Sequence, residues 1–297
     1  HDYPENVPSP KNKTRNGMMN QILLDGKTFE KLSELDVRNG KLVSNDGVMF
    51  LTSDNGTWIL NEYAEKGNLF LNKRILAFGK DGLSLVYNDQ KQLDILNKDG
   101  KVIRRISQKI YPHAAVSLRD GRFYIVGAIN KTENPQVLWS LSPDGSLVVE
   151  DEDLKGAKSL GISANDNWLY VFEHDTRRGF NYMVQKNGSS LKYKQEFFYI
   201  HIPDEKDGAE ITSCICDNSG RTYLATNMGI QVCDYNGRSE AILTLPDNIR
   251  PVSIAWGGKE RNYLYILGDD HILYRRKLNV KGASINEEIP IIRVSAG

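Results

Sequence analysis

The sequence is poor in cysteine, carries no excess charge of either sign and has no long hydrophobic run. Three cysteines in 297 residues, Cys214, Cys216 and Cys233, are too few and odd in number for a disulfide framework. Cys214 and Cys216 fall on one face of an expected strand and read as small buried residues. The 38 basic residues balance 38 acidic ones, and no basic stripe stands out. That excludes the electrostatic footprint of a nucleic-acid binder or of a protein drawn to an anionic membrane. No segment approaches the roughly 18 consecutive apolar residues of a membrane-spanning helix. Only ten prolines against 40% hydrophobic residues exclude a disordered chain. Several catalytic signatures are also missing: there is no Gly-x-Ser-x-Gly elbow, no His-Glu-x-x-His and no phosphate-binding glycine loop.

What the sequence does contain is a recurring unit. Short runs of strand formers centre on Phe50, Leu85, Tyr124, Tyr170, Tyr223 and Tyr265, at intervals of 35, 39, 46, 53 and 42 residues. Within the units, Asp81-Gly82, Asp99-Gly100, Asp120-Gly121, Asp144-Gly145 and Asn236-Gly237 separate the runs as hairpin turns. The Asp-Gly pairs are read as turn chemistry, because calcium needs a denser set of oxygen ligands. Four short strands per unit at this period predict an all-β fold, a six-bladed β-propeller with four-stranded antiparallel blades. The inner strands are expected at about 41–45, 74–78, 114–118, 159–163, 212–216 and 252–256. The last unit lacks a fourth strand, and an open edge is a liability in a ring. A terminal strand is therefore expected to close it, either 19–24 or 291–294. The polar residues 1–17, with three prolines and His in place of Met at position 1, read as an N-terminal arm or linker. Residues 18–297 are expected to form a single propeller domain. The expected setting is extracytoplasmic, periplasmic or secreted, with the chain a monomer.

Beyond the repeat, particular stretches carry a family likeness. They are Cys214 to Thr226, Gly229 to Asp234, Pro251 to Gly258 and Leu273 to Gly282, with Leu76 to Gly100 in support. These resemble the senescence-marker-protein/gluconolactonase-like family, over about residues 40–283. NHL-repeat propellers share the blade texture. The resemblance implies a six-bladed propeller, hydrolysis of sugar lactones or related esters, and one divalent cation in the funnel. The family holds that cation with a Glu, an Asn and an Asp that begin inner strands, where it would polarise a carbonyl and activate water.

Carried over position by position, those ligands fall on residues that do not bind cations. The Asp falls on Thr212, the Asn on Lys158 and the Glu near Gly40. An Asn-Asp pair tied to catalysis falls on His113-Ala114, and a further Asp on Gly127. Asp207, Glu210 and Glu34 are the nearest candidate substitute ligands. The expectation is therefore a degenerate site with no metal cofactor. Gly40, Arg74, His113, Lys158, Thr212 and Val252 open the six inner strands. Arg74, His113, Lys158 and Thr212 are the candidate ligand-binding residues, with an acidic, carbohydrate-related small molecule as ligand. For Arg74 and Lys158, pairing with Asp153 or Glu210 from neighbouring loops is the plainer alternative. Two functions stay open: a binding or accessory propeller for that small molecule or for a protein partner, and an active sugar-lactone or ester hydrolase with altered ligands.

Overall fold

The strands are punctuated as the turn chemistry dictates. The carboxylates of Asp144, Asp217 and Asp234 accept hydrogen bonds from backbone N–H groups two or four residues on. The glycines that follow, such as Gly145 and Gly220, sit at φ of +92° and +85°, open to glycine at little cost. In the computed structural model, which describes residues 16–61, 65–131 and 136–293, these turns join strands into six four-stranded antiparallel sheets.

The protein is a six-bladed β-propeller. The inner strands are Lys41–Asn45, Arg74–Phe78, Tyr111–Ser117, Ala157–Ile162, Ser213–Cys216 and Pro251–Gly257. Each lies within three residues of its expected place. Apolar side chains between neighbouring blades form the core. For example, Trp256 of the last blade meets Tyr223 of the fifth edge-on, with ring centroids 4.9 Å apart, and donates its indole N–H to the Cys216 carbonyl at 2.8 Å. The three cysteines are free thiols, and Cys216 and Cys233 are buried. No helix of the described residues is long and apolar enough to cross a membrane.

A terminal strand does close the ring, but neither expected segment supplies it. The outer strand of the last blade is Glu30–Glu34, antiparallel to Ile272–Lys277. Residues Gly17–Ile22 form instead a short helix whose N-cap Asn16 accepts from the Met19 N–H. Met19 and Ile22, three apart and both fully buried, show the helical spacing that decided this. The sequence Glu-Lys-Leu-Ser-Glu is charged at both ends, as suits an exposed edge strand. Residues 291–293 are non-regular, and position 294 lies outside the described residues. So do residues 1–15, nearly all of the expected arm.

A stretch that follows the last blade closes one end of the central channel. Residues 281–287 cross beneath the far ends of the inner strands. Asn286 donates to Asp46 at 2.8 Å and accepts from the Asp81 N–H at 2.9 Å. Arg119 donates to the Ser284 and Glu287 carbonyls, while Ala283 donates its N–H to the Cys216 carbonyl. Gly282 lies flat on Trp256, where a Cβ would come 2.2 Å from the indole. Glu287 is clamped by Arg261 at 2.6 Å and Lys281 at 2.9 Å. Hydrogen bonds from those two hold its carboxyl down at about 2. Because this pKa is lowered on folding, the clamp is in force above the ordinary carboxylate range. It is lost as pH falls from there towards 2. Acid titration of the intact chain should loosen this tail in that window, read by hydrogen exchange at 281–287. A Glu287→Gln variant should show the looser tail already at neutral pH. Equal protection of the two proteins at pH 7 would remove the clamp from the account.

Candidate functional site

The blades aim a ring of basic side chains at the end of the channel opposite the tail. Four inner strands break register with their neighbours close to where they begin. The skipped residues are Leu76, His113, Lys158 and Val252. A bulge of this kind bends the strand and re-aims the extra side chain, and bulges gather near functional sites. Two of the four candidate residues, His113 and Lys158, therefore owe their placement to bulges. Arg74 begins its strand in regular pairing with Tyr87.

A cavity of about 300 Å³ runs down the channel, of a size to hold a small organic ligand. Arg74, His113 and Thr212 line it, as does Lys41. Lys158 lines a second cleft beside Gln136, Gly156 and Asp175, yet its charge still acts on Lys41. Below this rim the wall is of small and apolar residues such as Ala77, Ala115, Ser159 and Ile254. Thr212 Oγ1 is buried with no hydrogen-bond partner among the described residues. The His113 ring nitrogen Nε2 lies 3.3 Å from the Gln136 amide.

Lys41 is the residue that the sequence reading passed over. The first inner strand begins with Lys41 paired to Thr52, so Gly40 lies just outside it. Lys41 Nζ donates to the His113 backbone carbonyl at 2.8 Å, which joins the first blade to the third across the channel. No carboxylate bonds to it among the described residues. Burial, followed by the positive charges of Arg74 and Lys158, pulls its pKa down to about 8. Burial also lowers Arg74, although Asp54 at 3.5 Å and Tyr87 act the other way. Burial pushes Tyr87, beside Arg74, up to about 12.

The suggested substitute ligands do not gather here. Glu210 is held by Arg250 and Lys206 on the rim of the fifth and sixth blades. Glu34 sits in the outermost strand of the last blade, opposite Ile272. Asp207 is exposed in a loop. Among the described residues no three His, Cys, Asp or Glu side chains come together as a metal-binding group. Two ammonium groups, a guanidinium, an imidazole and one hydroxyl are a poor donor set for a divalent cation, which requires anionic oxygen ligands.

Comparison with known proteins bears on the fold and the family. A luciferin-regenerating enzyme superposes with a TM-score of 0.67 at 17% identity, covering 88% of this chain and 100% of that one. A gluconolactonase from Xanthomonas campestris gives 0.63 at 14%, covering 89% and 93%. An auxiliary nutrient binding protein from Bacteroides thetaiotaomicron gives 0.60 at 12%, covering 85% and 77%. At these identities the likeness is one of fold. No curated protein matches the sequence. The model of the SMP-30/Gluconolactonase/LRE-like region matches residues 112–268, more than half of the chain, and the protein therefore belongs to that family.

Proposed function

We propose that this propeller is a metal-independent member of its family that binds an anionic, carbohydrate-related small molecule at the open mouth of its channel. The observation that carries this reading is the pair of basic side chains Lys41 and Arg74, with the His113 imidazole beside them and the charge of Lys158 reaching in from the neighbouring cleft, at the mouth of a cavity strapped shut at its other end. Charges act more strongly on one another in such a half-buried place than on open surface. Arg74 pairs with Asp54 at 3.5 Å, and that carboxylate is exposed. A carboxylate ligand would relieve the crowding of like charge. Its hydroxyls would find the Thr212 hydroxyl, which is costly to leave unpaired.

Calorimetry with gluconate and glucose tests the reading. The acid should bind more tightly than the neutral sugar, with affinity falling as salt rises and unchanged by EDTA. Arg74→Ala should weaken gluconate by about ten- to a hundredfold, the value of a charge-assisted hydrogen bond of roughly 1.5–3 kcal/mol. Equal affinity for acid and neutral sugar would overturn it. Hydrolysis of gluconolactone that a chelator abolishes would put the metal-dependent hydrolase in its place.

A further inference from the structure

Lys41 is an unusual lysine. It is the first residue of an inner strand, half-buried at the channel wall, and its one hydrogen bond among the described residues goes to a backbone carbonyl. Lysines that serve only the surface keep their charge in water or pair it with a carboxylate. Among the described residues the groups around the amine from the other blades are cationic or neutral: Arg74 from the second, His113 from the third and Thr212 from the fifth line the same cavity, and the charge of Lys158 from the fourth reaches it from the neighbouring cleft. On the sixth, Ser253 accepts from the neighbouring Leu42 N–H. Asp54 and Tyr87 stand near the Arg74 guanidinium, and Tyr111 stands near Tyr87. Arg250, Glu210 and Asp269 on the outer rim pair with one another.

We infer that Lys41 is a nucleophilic amine that captures the carbonyl group of an anionic small molecule in the channel as an imine. The inference rests on the anion-binding reading and narrows its ligand to an oxo acid or an aldehydic uronate. A lysine placed among other cations and partly withdrawn from water is the recognised way to keep an amine uncharged near neutral pH. At a pKa of about 8 a sizeable share of Lys41 is neutral at pH 7.5, against about one part in a thousand for an ordinary lysine. The bond to the His113 carbonyl occupies one N–H and leaves the lone pair to the cavity. In the step itself the nitrogen lone pair attacks the carbonyl carbon. The carbon–oxygen double bond opens, and its oxygen departs as water with two protons from the nitrogen. A neutral amine and a carbonyl thus become an imine and water, and a proton taken up from solvent makes the iminium, with no outside oxidant or reductant. The ligand's carboxylate, held by Arg74, would offset the iminium charge.

The test is reductive trapping on the full chain with cyanoborohydride at pH 7.5, followed by peptide mass mapping. The two carbonyl probes are D-glucuronate, whose open-chain form is an aldehyde with a carboxylate, and glycolaldehyde, which is neutral. Gluconate binding is measured in parallel. The expected result is a reduced adduct on Lys41, formed at least about tenfold faster than on the other lysines and faster with glucuronate than with glycolaldehyde. It should disappear in Lys41→Arg, which keeps the charge. The wild-type trapping rate, which needs no variant to fold, should rise with pH to a plateau just above 8. If gluconate binds and neither probe marks Lys41 in preference to other lysines, the amine inference fails and the binding reading survives. If both probes mark Lys41 equally and gluconate does not bind, the amine stands and the anion site falls.

Discussion

Removal of residues 16–35 is expected to leave a chain that no longer folds at 25 °C. The segment supplies the closing strand Glu30–Glu34 and three side chains with at most 2% exposure, Met19, Ile22 and Leu35. Truncating a core residue of this size to alanine costs about 2–5 kcal/mol. Three such losses, together with an unpaired edge along Ile272–Lys277, reach the whole stability of a typical domain, about 5–15 kcal/mol. The single change Ile22→Ala should already lower stability by about 3 kcal/mol, read as a lower urea midpoint with an unchanged slope. Ile22 belongs to the apolar cluster that holds Tyr223, Ile230 and Leu278, so its loss is felt in the fifth and sixth blades together. A truncated protein with the melting temperature of the full chain would show that the ring holds without its clasp.

The opposite sign is expected at Lys41. Replacing it with methionine should stabilise the protein while it weakens anion binding by tenfold or more. The pKa near 8 means that folding disfavours the charged amine. The unfolded chain holds its proton up to about 10.4. Between these values the unfolded state binds more protons than the native one, so native stability rises with pH across about 8 to 10.4. Below 8 the penalty is present in full. A fully sealed amine would put it at about 3 kcal/mol; Lys41 is half-buried, and about 1–2 kcal/mol is the expected gain in Lys41→Met. The measurement is denaturant unfolding at pH 7 and pH 10. The variant should be the more stable at pH 7, the gap should close by pH 10, and gluconate affinity should drop. A variant less stable than the wild type at pH 7 would mean that packing of the lysine stem outweighs its charge. A residue that costs stability where it stands is the usual mark of a working site.

The blades were legible because period and turn chemistry repeat: a missed strand in one unit is corrected by the next. The clasp was not legible, since it does not repeat. Glu30–Glu34 has no apolar alternation to announce it, and the run at Met18-Met19-Ile22-Leu23 fits a strand until its buried residues are seen to fall three apart. The start of the first inner strand was misread by one residue. Gly40 and Lys41 are adjacent, and only the pairing of Lys41 with Thr52 decides which begins the strand. Arg74, His113 and Thr212 meet at the channel as their strand positions suggest. Lys158 opens instead onto a neighbouring cleft, because the bulge at that residue turns its side chain, and nothing in Ala-Lys-Ser marks a bulge. The tail beneath the channel gave no signal, since its hydrogen bonds are largely to backbone groups and depend on tertiary placement.

The clasp also sets an order of events during synthesis. Glu30–Glu34 leaves the ribosome before the five other blades, and its partner Ile272–Lys277 only after them. Through most of translation the early strand has no neighbour to bond, and the five blades made before the last must hold their hairpins without a closed ring. Pairings this distant in sequence are slow to form, and unpaired strand edges invite association between nascent chains. The charges at both ends of that early strand, glutamate at 30 and at 34 with lysine at 31, would keep it in solution while it waits.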